Sequence, residues 1–264
     1  MRLVVKLGGS LLTEPGLLHR IVAQLLGLRR RGHQVIVVHG GGKQIKHYLK
    51  ELRIPTESHR GLRVTDPETM RVVLMVLGGL VNKNIVAVFN DMEGRAVGLC
   101  GADGSSFVAH KYQDDQEEDP PFDYGQVGEI SQGNPALVDL LLENNYCPII
   151  ACVGVGPDAT FYNVNADEMA SAVALICRAD RLIFLTDVPG VLDASRQVIP
   201  RLNRTEMERL RRRGVISEGM LPKTRACERA IREGLSQVNI VGGREEDCLV
   251  RLLENGEPLG TAIH

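Results

Sequence analysis

Short apolar, β-branched runs break repeatedly into glycine along this chain, and longer amphipathic stretches separate them. That rhythm constrains the fold more than any other feature. "VVKLGGS" occupies residues 4–10 and "VIVVHGGGKQ" residues 35–44. Between them Leu17, Leu18, Ile21, Val22, Leu25 and Leu28 recur at helical spacing, and the stretch ends in basic residues and Gly32. Strand, crossover helix and strand make a βαβ unit, so the first two strands are expected to be parallel. The alternation continues. Helices are expected over 43–54, 66–92, 136–145, 165–179, 205–214 and 221–234, and strands over 147–156, 181–186 and 237–243. Asp66 reads as an N-cap with Pro67 at the first helical position. The acidic, turn-rich stretch 110–130 reads as a hairpin or a loop. The expected fold is α/β: a three-layer α/β/α sandwich with a mainly parallel central sheet covered on both faces. A length of 264 residues suits one large domain or two intimate lobes.

Composition narrows the function. With 31 Lys+Arg against 33 Asp+Glu, no chain-wide basic bias argues for nucleic acid. The cysteines Cys100, Cys147, Cys152, Cys177, Cys227 and Cys248 form no C-x-x-C pair, so they read as reduced core thiols of a cytoplasmic protein. No uninterrupted apolar run reaches the roughly 18 residues of a membrane span. Lys6 and the glycines after it interrupt any leader-like apolar stretch. Neither a membrane nor a nucleic acid is expected as a partner.

In parallel α/β sheets, ligands bind beyond the carboxyl ends of the strands. Gly8-Gly9 and Gly40-Gly41-Gly42 fall at two such ends. Glycine lets backbone N–H groups approach an anion, and the helix starting near Lys43 adds the positive end of its dipole. Two neighbouring turns can therefore surround a phosphoryl group. The common nucleotide fingerprints are absent: no G-x-x-x-x-G-K-[S/T] and no G-x-G-x-x-G occurs. Lys6 interrupts a buried strand, where a charge is costly without a partner. "YNVNAD" (162–167) carries Asn163, Asn165 and Asp167 before an apolar helix; capping explains part of the motif but does not need both asparagines. "GLRVTD" (61–66) places Arg63 where its fork can hold a carboxylate. "GMLPK" (219–223) delivers Lys223 to a helix start, a poor place for a cation unless an anion binds there.

Together, "VKLGGS", "VHGGGKQI", "GLRVTD", "NPALVDLLLENNYCPII", "NVNAD", "LTDVPGVLD" and "GMLPK" resemble the amino acid kinase family, in order and spacing, over nearly the whole chain. The likeness is strongest to the branch that phosphorylates N-acetyl-L-glutamate. The resemblance implies the carbamate kinase-like fold, ATP with Mg2+, and transfer of a phosphoryl group to a side-chain carboxylate in the second step of arginine synthesis. It implies that Lys6 and Lys223 neutralise charge on the phosphoryl group while Asp167 orients both. Amides at Gly8, Gly9, Gly41 and Gly42 would donate to the phosphoryl group and the acceptor. Arg63 would hold the acceptor's α-carboxylate, with Asn163 near its acetamido end, and Asn165 would also bind the acceptor. Asp187, Val188, Pro189, Gly190, Val191 and Leu192, together with Val215, Ile216 and Ser217, would border the nucleotide. It further implies an acceptor lobe over residues 1–178, which also dimerises, and an ATP lobe over 179–264. Arg60 and Glu218 stand where the family commonly has asparagine and glycine.

Two alternatives share this fold. One is a kinase for aminoadipate or glutamate held on a small acidic carrier protein, whose relatives carry "RSRYTD" and "NVDGD" at the corresponding places. The other is a non-catalytic ligand sensor, which would be expected to lose one of Lys6, Asp167 and Lys223. The helix within 66–92 is apolar all round through Val72, Val73, Leu74, Met75, Val76 and Leu77, more than one sheet-facing stripe requires. A homodimer is therefore expected. The first strand begins at about Leu3, without the leading helix that links arginine-inhibited relatives into hexamers, so little sensitivity to arginine is expected.

Overall fold

The structure is a computed structural model and describes residues 1–114, 122–216 and 220–264. Among those residues the chain runs β1 (Arg2–Leu7), α1 (Pro15–Arg30), β2 (Gln34–His39) and α2 (Gly42–Glu51). A short hairpin follows, β3 (Ser58–His59) and β4 (Leu62–Arg63), then α3 (Pro67–Leu74) and α4 (Asn82–Asp91), joined by a π-helical stretch, Met75–Val81. Next come β5 (Ala96–Leu99), β6 (Phe107–Lys111), β7 (Val127–Gly133), α5 (Ala136–Glu143), β8 (Cys147–Ala151), β9 (Val153–Val155) and β10 (Phe161–Val164). The rest is α6 (Ala166–Ile176), β11 (Arg181–Thr186), β12 (Arg201–Leu202), α7 (Arg204–Arg212), α8 (Leu221–Arg232), β13 (Val238–Gly242), α9 (Cys248–Leu253) and β14 (Thr261–Ile263).

The main sheet has the order β12-β14-β13-β11-β1-β2-β8-β5. Its pairings are parallel except β13 with β14. β1 lies between β11 and β2, with Lys6 opposite Phe184 on one side and Val38 on the other. Leu3, Val4, Val5 and Leu7 have no exposed surface, which explains why β1 reads as an apolar run rather than an alternation. α6 and α8 pack together over β1, β11 and β13, while α1, α4 and α9 form the second helical layer. The three-layer sandwich expected from the sequence is the architecture found. One sheet runs through both the 1–178 and the 179–264 portions, since β11 pairs directly with β1.

One element differs from the sequence reading. The run 147–156 is two strands, because the chain leaves the main sheet at Cys152 and β9 joins β6, β7 and β10 in a small closed sheet. The stretch 110–130 contributes to an antiparallel pair, β6 with β7, although residues 115–121 lie outside the described residues. The helix Pro67–Asp91 spans 25 residues and is long and apolar enough, by length and composition, to cross a membrane. Asn82, Lys83 and Asn84 interrupt it, so no uninterrupted apolar run in it reaches that length. Here Met70, Val73, Val76, Leu77, Ile85 and Phe89 bury one side of it in the core. Asp66 caps it as expected, accepting from the Thr69 amide at 2.7 Å.

The β3–β4 hairpin turns through two residues with positive φ, Arg60 at 47° and Gly61 at 83°. This is the geometry that hairpin twist favours, and asparagine or glycine adopts it with least strain. Arginine at the first position is held by an ion pair to Asp114 at 2.8 Å.

Candidate active site

Lys6 and Lys223 converge on Asp167. Lys6 Nζ lies 2.8 Å from Asp167 Oδ1, and Lys223 Nζ donates to Oδ1 at 2.9 Å and to Oδ2 at 3.1 Å. All three are largely buried, with exposures of 7, 7 and 9 % for Lys6, Lys223 and Asp167. Burial pushes the Asp167 carboxyl up, but the charges of Lys6 and Lys223 and their hydrogen bonds outweigh it and hold the group at about 2. Burial lowers Lys223 together with the nearby charge of Lys6, against the pull of Asp167. The Lys223 ammonium also sits 4.9 Å above the Phe184 ring, a cation–π contact that partly replaces lost water. One carboxylate against two ammonium groups leaves a net positive charge at the carboxyl end of β1, an environment suited to an anion.

Three secondary-structure ends make this possible. Lys6 comes from the centre of the sheet. Asp167 sits in the first turn of α6, just after the N-cap Asn165, whose Oδ1 accepts from the Asp167 amide at 2.9 Å and the Glu168 amide at 3.4 Å. Lys223 comes from the first turn of α8.

The two glycine turns face each other beside this triad. A Cβ on Gly9 would lie 3.9 Å from the Gly42 amide nitrogen, and one on Gly42 would meet nothing within 4 Å. Gly41 is glycine for a different reason: a Cβ there would lie 2.7 Å from Leu77 Cδ2. The first-turn amides of α2 have no intrahelical acceptor, so they present donors to the cleft. Gly8 departs from the expected role. Its amide donates to the Leu185 carbonyl at 2.9 Å, which ties β1 to β11 and removes that N–H from the donor set.

A cleft of about 260 Å³ opens over these turns, lined by Lys6, Gly9, Gly42, Arg63, Asn163 and Cys152 among others. Arg63 reaches it from β4, its Nη1 donating to Thr56 Oγ1 at 2.7 Å and its Nη2 to the Gly42 carbonyl at 3.3 Å. Asn163 Nδ2 donates to Thr65 Oγ1 at 3.1 Å, and that hydroxyl donates to the Arg63 carbonyl at 2.8 Å. Buried Thr65 thus ties Asn163 to the backbone of Arg63. Asn165 borders the same cleft while its side-chain oxygen caps α6.

The expected nucleotide border divides into exposed and buried residues. Asp187 and Pro189 are exposed after β11, and Val188 is half-buried. Burial pushes the Asp187 carboxyl up, but its own amide, the Ser10 and Thr186 hydroxyls and the charge of Lys43 hold it below the usual range. Val191 is 2 % exposed and its amide donates to Thr261 Oγ1 at 2.8 Å, while a Cβ on Gly190 would lie 2.8 Å from that same oxygen. Leu192 pairs with Val198. Val215 is partly exposed, its amide bonded to the Leu210 carbonyl at 3.0 Å, and Ile216 is buried. The side chains of Val191 and Ile216 are therefore core, and Ser217 lies outside the described residues.

A family profile described as the amino acid kinase family matches residues 1–242. The chain belongs to the amino acid kinase family. Acetylglutamate kinase of Koribacter versatilis is 43 % identical over 263 residues, an alignment covering 100 % of this chain and 98 % of that one. The solved structure of smu.665 from Streptococcus mutans UA159 superposes with a TM-score of 0.82 at 29 % identity, covering 99 and 98 % of the two chains. Giardia carbamate kinase shares the fold, with a TM-score of 0.69 at 15 % identity over 99 and 98 %.

For an amino acid kinase, this site also holds residues that the motifs did not flag. Phe184 sits beneath Lys223, Thr65 ties Asn163 to the backbone of Arg63, and Ser10 bonds to Asp187. Of these, Thr65 inside "GLRVTD" and Ser10 inside "VKLGGS" carried a local signal, as small hydroxyl residues within the motifs. Ser10 meets Asp187 because β1 pairs with β11, whereas Phe184 of β11 meets Lys223 from the first turn of α8.

Proposed function

We propose that this amino acid kinase transfers the γ-phosphoryl group of ATP to the side-chain carboxylate of N-acetyl-L-glutamate, the second step of arginine synthesis. The convergence of Lys6 and Lys223 on Asp167 beside two facing glycine turns carries the reading. The name of the 43 % identical relative supports the choice of acceptor. An acceptor carboxylate is already ionised, so no general base is needed. One carboxylate oxygen attacks the γ-phosphorus, the bond to the β-bridging oxygen breaks, and ADP leaves with that electron pair. Catalysis then rests on alignment and on cations that meet the charge on the transferred group.

In this reading Lys6 and Lys223 flank the phosphoryl group, and Asp167 keeps both ammonium groups aimed at it. Gly9 and the first-turn amides of α2 supply N–H donors. Arg63 takes the acceptor's α-carboxylate, leaving its bonds to Thr56 and the Gly42 carbonyl, and Asn163 lies beside the acetamido end. Asp187, Val188, Pro189 and Val215 border ATP, with the backbones of Gly190 to Leu192 shaping the turn. Mg2+ would arrive on the triphosphate, because both Asp167 oxygens are engaged by lysines. Residues 1–178 would bind the acceptor and dimerise, residues 179–264 would bind ATP, and the enzyme would work in the cytoplasm. ADP release measured with N-acetyl-L-glutamate, with free glutamate and without acceptor tests the assignment. Release that depends on N-acetyl-L-glutamate is expected; equal or greater release with free glutamate would reject it.

A further inference from the structure

The strand that delivers the second glycine turn ends in a histidine with no exposed surface, His39. Its Nδ1 lies 3.0 Å from the Gly40 carbonyl oxygen and its Nε2 lies 3.1 Å from Asn82 Nδ2. The Asn82 amide also reaches the Ile149 carbonyl through Nδ2 at 2.8 Å, and its Oδ1 receives Lys83 Nζ at 3.1 Å. A carbonyl and an ammonium on opposite sides leave the amide one orientation: Nδ2 toward Ile149, Oδ1 toward Lys83. Nδ2 is therefore a donor to His39, Nε2 must be unprotonated, and the ring proton sits on Nδ1, where it donates to Gly40. Burial drives the His39 pKa down to about 4 against the opposing bond to Gly40, with the Lys83 charge adding to the fall, so the ring is neutral in neutral solution.

The same helix braces the turn twice. Leu77 and Val81 pack where a Cβ of Gly41 would stand, and Asn82 reaches His39 beneath Gly40. In a regular α-helix, residues 77 and 82 would diverge by about 140°. The π-helical stretch Met75–Val81 brings them to one side, the kind of insertion that marks functional positions in helices.

We propose that Asn82 and His39 are positioning residues: they fix the Gly40 carbonyl through a single histidine tautomer and so aim the Gly41–Gly42 amides at the transferred phosphoryl group. The tautomer stands on geometry alone, whereas its kinetic consequence rests on the phosphoryl-transfer reading above.

Nitrogen-15 NMR of histidine-labelled protein without substrates reads the tautomer. An Nδ1-protonated, Nε2-unprotonated His39 at neutral pH is expected; the opposite tautomer, or an imidazolium, overturns the proposal whatever the enzyme's acceptor. Two substitutions then separate position from packing. Asparagine places its amide nitrogen where Nδ1 stands and can still donate to Gly40; glutamine reaches toward the Nε2 position and cannot. His39→Gln should lower kcat roughly 10-fold or more, while His39→Asn stays within about 3-fold of the wild type, with similar melting temperatures. Equal losses in the two variants, or losses that follow melting temperature, would assign His39 to packing alone. Should neither variant fold, Asn82→Ala with the same NMR readout decides: a His39 whose tautomer is unchanged without Asn82 removes Asn82 from the proposal.

Discussion

Lys6 and Lys223 share one oxygen atom, Asp167 Oδ1, at 2.8 and 2.9 Å. The shared contact holds two like charges close together, which only a counter-charge makes stable. Bound phosphate would relieve the remaining repulsion, and most of all as charge builds on the transferred group. Lys6→Ala and Lys223→Ala should each reduce kcat by roughly 100- to 1,000-fold, the effect of removing one preorganised donor. Steady-state kinetics check this, and wild-type kcat in either variant removes that lysine from the mechanism.

Asp167 also links stability to pH. Its folded pKa of about 2 lies below the ordinary 3.8, so the unfolded chain binds the proton first as pH falls. The stabilisation is complete above the ordinary value, is lost as pH falls from there through the folded value, and amounts to about 2 kcal/mol. Urea midpoints should be insensitive to this group from neutrality down to about pH 5 and should decline below it. Asp167→Ala should be worse than acid, costing about 3–5 kcal/mol at neutral pH because two buried ammonium groups lose their partner. A midpoint unchanged in that variant would mean that the lysines find other anions.

Arg63 should behave differently from the lysines. It is half-buried, with burial lowering its pKa, and its fork now rests on a hydroxyl and a carbonyl, weaker partners than a carboxylate. Arg63→Ala should raise the acceptor KM roughly 10- to 100-fold, from about 1.5–3 kcal/mol for a hydrogen bond to a charged group. The ATP KM should move little. An equal rise in both would place Arg63 outside the acceptor site.

Met75 is 58 % exposed and Leu80 39 % exposed on the long helix whose other side is core. We expect this face to be covered by a second copy of the chain. Light scattering should give about twice 28.9 kDa. Replacing both residues with glutamate should yield monomers, and a chain that is already monomeric before substitution would remove the dimer.

Much of the site was visible in sequence because its residues break local rules. Lys6 stands in an otherwise apolar strand, and Lys223 stands at the wrong end of a helix. By the same logic His39, polar and directly before three glycines, was detectable, but its partner Asn82 is set by a π-helical insertion with no sequence signature. Strands of three or four residues, such as Val153–Val155 and Thr261–Ile263, carry too little periodicity to be read. Gly8 and Val191 misled for a related reason. Both sit in motifs expected to border a ligand, but the Gly8 amide is committed to Leu185 and the Val191 side chain is buried. Such commitments depend on register, which one strand does not encode.

The placement of β1 bears on how the protein is made. β1 is made long before one of its two neighbours in the sheet, since β11 begins only at Arg181. Until then one side of β1 has no mate, a long-range closure of the kind that slows folding and invites pairing with other chains. The ammonium of Lys6 interrupts that apolar edge, as gatekeeping charges do. Its permanent partner, Asp167, emerges 14 residues before Arg181, and Lys223 later still. An unfinished chain therefore carries Lys6 without the two partners that surround it in the finished fold.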